Sequence, residues 1–268
     1  MNTKTRLLPL LIALAIDPAV AATTVDIADR DVDALVASIH HANQSREATT
    51  IRLAHGGLYT LVTASDENRE LGLPVITGDI TILGNDADLR RYSDEDFALV
   101  AVADGGKLKL ERLTLAEGSR GALVNRGELE LDQVRVVDNI AKNVPAIIEN
   151  YGQLRVIGSE ISYNQLAGTQ RDAGTVLNYG RLDLLRSSIE SNWISRRYDS
   201  LVAASAVLNL GELKLAEVRV RENTAMPELV ETSLGAIVNV GNGAYQASDL
   251  TLEHNEPVDT LSAARLAN

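Results

Sequence analysis

The residues best suited to holding a ligand fall in one short stretch. Trp193-Ile194-Ser195-Arg196-Arg197-Tyr198-Asp199 contains the only tryptophan of the chain, a tyrosine and two adjacent arginines, in a sequence of net charge −12. Aromatic rings offer flat apolar faces that stack on sugar rings, and guanidinium groups make paired hydrogen bonds to carboxylates or sulfates. Trp193, Arg196, Arg197 and Tyr198 are therefore the expected ligand-binding residues, for an anionic glycan or a protein. The competing use of the same residues is structural: Trp193 folds back over a coil edge and the arginines pair with Asp199 and nearby acids.

Catalytic chemistry finds less support. Two of the four histidines are adjacent, His40 and His41, but no third ligand is evident and no HExxH spacing occurs. The absence of cysteine excludes thiolate chemistry, iron–sulfur clusters and a lipid-modified N-terminal cysteine. No serine nucleophile elbow or phosphate-binding loop is present. Glu130 and Asp183 are spaced as an inverting glycosidase pair could be, but Arg155 is expected between them. Glu149 reads as a turn residue and Asp172 as a loop residue, neither with an evident partner. No catalytic residue, metal ligand or cofactor is assigned.

What must position these side chains is a repeat. Five segments share one template: GALVNRGELELDQVRVVDN, AIIENYGQLRVIGSEISYN, GTVLNYGRLDLLRSSIESN, SAVLNLGELKLAEVRVREN and GAIVNVGNGAYQASDLTLEHN. The first asparagine of each is Asn125, Asn150, Asn178, Asn209 and Asn239, and the second is Asn139, Asn164, Asn192, Asn223 and Asn255. Counted from Gly127, Gly152, Gly180, Gly211 and Gly243, the second asparagine always lies 12 residues on. Apolar residues hold the same register two, four and nine residues after the glycine, as in Leu182, Leu184 and Ile189. Gly106 opens a sixth copy, with Asp104 in the first asparagine slot and Gly118 in the second, and Gly78 opens a more degraded one.

Alternation with a period of two indicates strands, and one residue type at equivalent positions indicates like stacked on like. The expected fold is all-β, a right-handed parallel β-helix whose coils rise about 4.8 Å each. A buried turn must satisfy its peptide groups, and an asparagine amide can bond its own turn and the coils on either side. The ten asparagines are thus expected to form structural ladders. The glycines are expected to supply turns with positive φ. Three residues after each glycine stand Lys109, Glu130, Arg155, Asp183 and Lys214, alternating in sign, so each faces an opposite charge on the neighbouring strand.

The ends and loops complete the organisation. Lys4 and Arg6, the apolar run Leu7 to Ile16 and Ala19-Val20-Ala21 have the layout of a secretory signal over residues 1–21. Its removal takes away Lys4, Arg6 and Asp17 and leaves a charge of −13. So acidic a chain disfavours nucleic acid as a partner. No stretch of the mature chain has membrane-spanning length. Ala34 to Ala42 is expected to be an N-terminal capping helix, capped by Asp31 or Asp33, within a 22–60 segment that also holds the first strands. Coils fill 61–255 and a tail or cap 256–268, with Thr260 to Leu266 as the capping element. Length differences between coils all follow the second asparagine, at Ile140–Pro145, Gln165–Ala173, Trp193–Ala204 and Thr224–Leu234. Insertions at one slot project from one side of a stack, often the binding side.

The GALVN, GTVLN and GAIVN starts, each followed by G-x-L-x-L and closed by x-x-N, resemble the repeats of polymorphic outer membrane proteins. They also resemble exported parallel β-helix proteins of the pectate-lyase-like superfamily. LPVITGDITILGNDADLRR and DVDALVASIHHANQ are similar to the first-coil and N-terminal segments of such proteins. The likeness spans about Val25 to Asn255. The second glycine of the GGA start is missing, and Val, Ile or Leu replaces the usual Phe before the second asparagine. The resemblance implies a fold more than an activity. The expected function is an exported, non-catalytic module, periplasmic or at the cell surface, that binds a polysaccharide or a surface protein in adhesin-like fashion. The alternative is a lyase or hydrolase of an acidic polysaccharide.

Overall fold

A computed structural model describes residues 23–45, 47–65, 70–168, 172–194, 203–225, 235–240, 244–256 and 261–264. The signal segment expected at 1–21 and three expected ligand residues, Arg196, Arg197 and Tyr198, lie outside them. The chain winds as a parallel β-solenoid of about seven turns, with one short helix near its N-terminus among the described residues. No described helix is long and apolar enough to cross a membrane.

One coil shows how the repeat builds this. Ala146–Asn150 ends on the first asparagine, and the chain turns at Tyr151-Gly152 into Gln153–Ile157. It bends at Gly158 into Glu160–Ser162, passes Tyr163 and Asn164, and adds the two-residue strand Gln165–Leu166. The next coil lies parallel and in register: Leu154 on Leu182, Ile161 on Ile189, Gln165 on Trp193, Asn150 on Asn178. Inward residues therefore form columns. Leu129, Leu154, Leu182 and Leu213 are all buried in the main apolar core, as the period of two requires. The Asn-terminated sheet is buried on both sides, because its outward Ala146, Leu177, Ala204, Leu208, Val238 and Val240 form a second apolar cluster.

Two asparagine ladders run through the interior. In the first, Asn125, Asn150 and Asn178 each donate from Nδ2 to the next asparagine's Oδ1 at 2.7, 2.6 and 2.6 Å, and Asn209 donates to Asn239 at 2.5 Å. In the second, Asn139, Asn164, Asn192 and Asn223 make the same bond to the next coil at 3.0, 2.9, 2.8 and 2.9 Å. That Oδ1 also accepts the backbone N–H of the asparagine before it, as in Asn164 N to Asn192 Oδ1 at 3.0 Å. Each buried amide thus satisfies side-chain and peptide groups together, which offsets its desolvation. A shorter ladder of Ser159 and Ser187 was not anticipated: Val134 N donates to Ser159 Oγ at 2.9 Å and Ser159 N to Ser187 Oγ at 3.1 Å.

The turns require two corrections. Gly127, Gly152, Gly180 and Gly211 do not have positive φ. They are glycine because their backbones lie on one another: a Cβ on Gly152, Gly180 or Gly211 would come within 2.2, 2.1 or 2.0 Å of the carbonyl oxygen of the glycine one coil below. Left-handed residues stand instead at two other corners, Arg112, Gln133, Gly158, Arg186 and Glu217 at one, and Asp138, Tyr163, Ser191 and Glu222 at the other. A non-glycine residue pays about 1–2 kcal/mol there. Bonding to the next coil continues through these residues, as in Arg186 N to Ala216 O at 2.9 Å and Glu222 N to Glu253 O at 3.0 Å. Second, Asp104 is not in the first ladder. Val102 lies opposite Asn125, since the Ala103–Gly105 turn is longer than the others, and Asp104 is exposed. Gly118 does occupy the second slot, its N–H donating to Asn139 Oδ1 at 2.8 Å. Within the expected C-terminal tail or cap, Leu261–Ala264 forms a further parallel strand on Ile237–Val240.

The N-terminal helix spans Val32–Gln44, with Asp31 as its N-cap accepting from Ala34 N at 2.9 Å. It buries Leu35, Ile39 and Ala42 against the first coils and leaves His40 and His41 exposed. Asn43 fastens its C-terminal end, donating to Val75 O at 2.7 Å and accepting from Thr77 N at 2.8 Å.

Candidate functional site

The loop-bearing side is built from four two-residue strands. Ile140–Ala141, Gln165–Leu166, Trp193–Ile194 and Thr224–Ala225 stack in parallel as one narrow sheet. Each directly follows an asparagine of the second ladder, and each begins one of the insertions read from the sequence. The four insertions therefore leave from one side of the stack. Alternation sets which residues face out: Ala141, Leu166, Ile194 and Ala225 are buried, whereas Ile140, Gln165, Trp193 and Thr224 form the outward column.

Trp193 stands in the middle of this column and is 39% exposed. The Asn192–Trp193 peptide is tied on both sides, Trp193 N to Asn164 O at 3.0 Å and Thr224 N to Asn192 O at 2.8 Å. A large aromatic ring is thus held on a hydrogen-bonded strand. Of the expected ligand residues, Trp193 is placed on the loop-bearing side. Nothing is described for Arg196, Arg197 and Tyr198. Tyr163, which the sequence reading passed over, is exposed at the same corner one coil below. The period of two did not reveal it, because its left-handed backbone interrupts the alternation.

A second region carries most of the ordered charge. The outward face of Gln153–Ile157 and its neighbours forms a groove of about 550 Å³ lined by Lys107, Lys109, Glu128, Glu130, Arg155 and Asp183, among others. The alternating residues are strand neighbours: Lys109 on Glu130, Glu130 on Arg155, Arg155 on Asp183, Asp183 on Lys214. Lys109 reaches Glu130 at 3.2 Å and Arg155 reaches Glu130 at 3.4 Å, while Asp183 is held at 3.0 Å by Arg181 of its own strand. Glu128 pairs with Lys107 at 3.2 Å. Lys109 is raised in pKa: burial, which would lower it, is outweighed by its bonds to Glu130 and Asp132.

Three carboxylates outside this groove are held in the same way. The Arg112 guanidinium on Asp86 and the Lys142 ammonium on Asp96 each hold the acid below the usual carboxylate range. Burial pushes Glu190 up, but bonds from Arg221 and Ser188 bring it below its ordinary value. Glu149 is a strand residue rather than a turn residue, and it accepts from Tyr151 Oη at 2.8 Å. Burial and that carboxylate raise the Tyr151 phenol. Tyr151 stacks on Tyr179 with centroids 5.1 Å apart, and Arg126 lies 4.7 Å over the other face of that pair at Tyr151. One face of each ring in this column is spent on the other ring. Among the described residues no group of three or more His, Asp or Glu is arranged to hold a metal ion. No protein-family profile matches the chain, and no curated protein sequence matches it either.

Proposed function

We propose that this protein is an exported, non-catalytic binding module, a right-handed β-helix of the pectate-lyase-like kind, with repeats related to those of polymorphic outer membrane proteins. It holds a polysaccharide or a surface protein on its loop-bearing side. The observation that carries this reading is Trp193, exposed on a hydrogen-bonded strand in the sheet from which all four insertions depart. A large aromatic ring fixed by strand hydrogen bonds offers a flat apolar face on which a sugar ring or an apolar side chain can stack. Export rests on the N-terminal residues Lys4 to Ala21.

Cleavage of an acidic polysaccharide is the weaker alternative. A general acid needs a carboxyl whose pKa is raised, and the carboxyls with resolved shifts, Asp86, Asp96 and Glu190, move the other way. Glu130 and Asp183 in the charged groove are engaged by Lys109, Arg155 and Arg181. Purified protein screened against neutral and acidic polysaccharides, with and without calcium, tests the choice. Retention of a polymer with no new reducing ends and no unsaturated products is expected. Release of either product would establish the enzyme instead.

A further inference from the structure

We infer that the ligand of the loop-bearing side is a neutral polysaccharide, seated on Trp193 and Tyr163, and that acids at this corner exclude polyanions. The inference rests on the binding-module reading and names its ligand.

The two aromatic residues belong to consecutive coils at one corner, Trp193 pairing with Gln165, two residues after Tyr163. Trp193 N bonds to the carbonyl of Asn164, the residue that follows Tyr163, so the tryptophan lies on the peptide beside the tyrosine. Tyr163 is 54% exposed and held at φ 56 by the coil above, its N–H donating to Glu190 O at 3.3 Å. Coils are about 4.8 Å apart, and the two residues are also offset by two positions across the axis, so their rings offer separate contacts to a chain crossing this corner obliquely. On either side of Trp193 the outward column presents Gln165 and Thr224, whose side chains make no hydrogen bond among the described residues. An amide and a hydroxyl can each both donate and accept, which is what sugar hydroxyls require. Tyr151 and Tyr179 differ in that each gives one ring face to the other.

Charge at the same corner selects among sugars. The residues equivalent to Tyr163 in the coils around it are Asp138, Ser191 and Glu222, with Ser191 Oγ donating to Glu222 at 3.2 Å. Glu190 beside them is taken by Arg221 and by Ser188 at 2.9 Å. Arg221 stands between Glu190 and Glu222, 4.0 Å from Glu222, and one guanidinium against these two acids and Asp138 leaves an excess of acid. A uronic acid or sulfated polymer laid along this corner would meet that excess, on a protein already at −12. A neutral chain meets no such repulsion.

The test is calorimetry and affinity electrophoresis of the whole protein with soluble neutral glucan, mannan and galactan, and with polygalacturonate, at low and physiological salt. A neutral polymer should bind with little salt dependence. Trp193→Ala and Tyr163→Ala should each weaken it about tenfold or more while the melting temperature stays the same. Glu222→Lys should keep neutral binding and add affinity for polygalacturonate. Preferred binding of polygalacturonate by the parent, steep in salt and lost in an Arg196→Ala/Arg197→Ala double variant, would overturn the neutral ligand and leave the binding module standing. Binding of no polymer by a folded parent would overturn both.

Discussion

The two asparagine corners of each coil use the same ladder and serve different ends. After the first asparagine the chain has two residues in which to turn, and the glycine that closes the turn lies carbonyl to Cα on the glycine below. No side chain fits there, and from Asn125 to Gly211 the turn keeps one length. After the second asparagine the chain adds a two-residue strand and then departs, by a different length in each coil. The amide ladder stabilises both corners alike, so what separates them is the packing that follows. A solenoid varies where the next coil does not press on the backbone, and here that is the side bearing Trp193.

The largest effects should therefore come from the constant corner. Gly180→Ala places a Cβ 2.1 Å from Gly152 O, a backbone atom that cannot move aside cheaply. Overpacking of this kind costs about 1–3 kcal/mol or more. Leu182→Ala in the column beside it should cost about 2–5 kcal/mol. Denaturant melts of both, compared with a chain shortened only between Gly168 and Asp172, outside the buried Leu166 and Ala173, whose midpoint should be nearly unchanged, would show the contrast directly. Equal destabilisation by the shortened insertion would erase it.

Next come the ladders themselves. Asn178→Ala and Asn192→Ala each leave buried groups unpaired and should destabilise by about 1–3 kcal/mol. Similar losses at the two positions support a shared ladder chemistry. A loss at only one would mean that the corners differ in more than the packing after them.

A smaller effect concerns pH. Glu190 has a folded pKa below its ordinary value, so its stabilisation is complete above that value and is lost as pH falls through the lower folded one. Glu190→Gln should reduce stability at neutral pH by at most about 1 kcal/mol, given the partly exposed Arg221 partner. It should also flatten the loss of stability in acid. Parallel acid melts of variant and parent would show that the pairing contributes nothing.

Much of this architecture is legible in the sequence because parallel stacking sets equivalent residues on one another. The leucine columns, the two asparagine ladders and the alternating Lys109, Glu130 and Arg155 follow from counting residues after each glycine. Counting failed where a turn changed length, as at Asp104, or where a partner came from the same strand, as Arg181 does for Asp183. The left-handed turns were hidden for another reason. Gln133, Arg186, Glu217 and Tyr163 are not turn-forming residue types, and they adopt this conformation because the neighbouring coils fix their peptide groups. The position of Trp193 was foreseen from the insertion slot, while the exposure of Tyr163 depended on such a turn.

The most direct test of the loop-bearing side uses the fact that Trp193 is the only tryptophan. Its fluorescence reports on that strand and nowhere else. Titration with a polymer that calorimetry shows to bind should shift or quench the emission, with the same midpoint as the heat signal. Saturable binding that leaves the emission of Trp193 unchanged would place the ligand elsewhere and contradict the assignment.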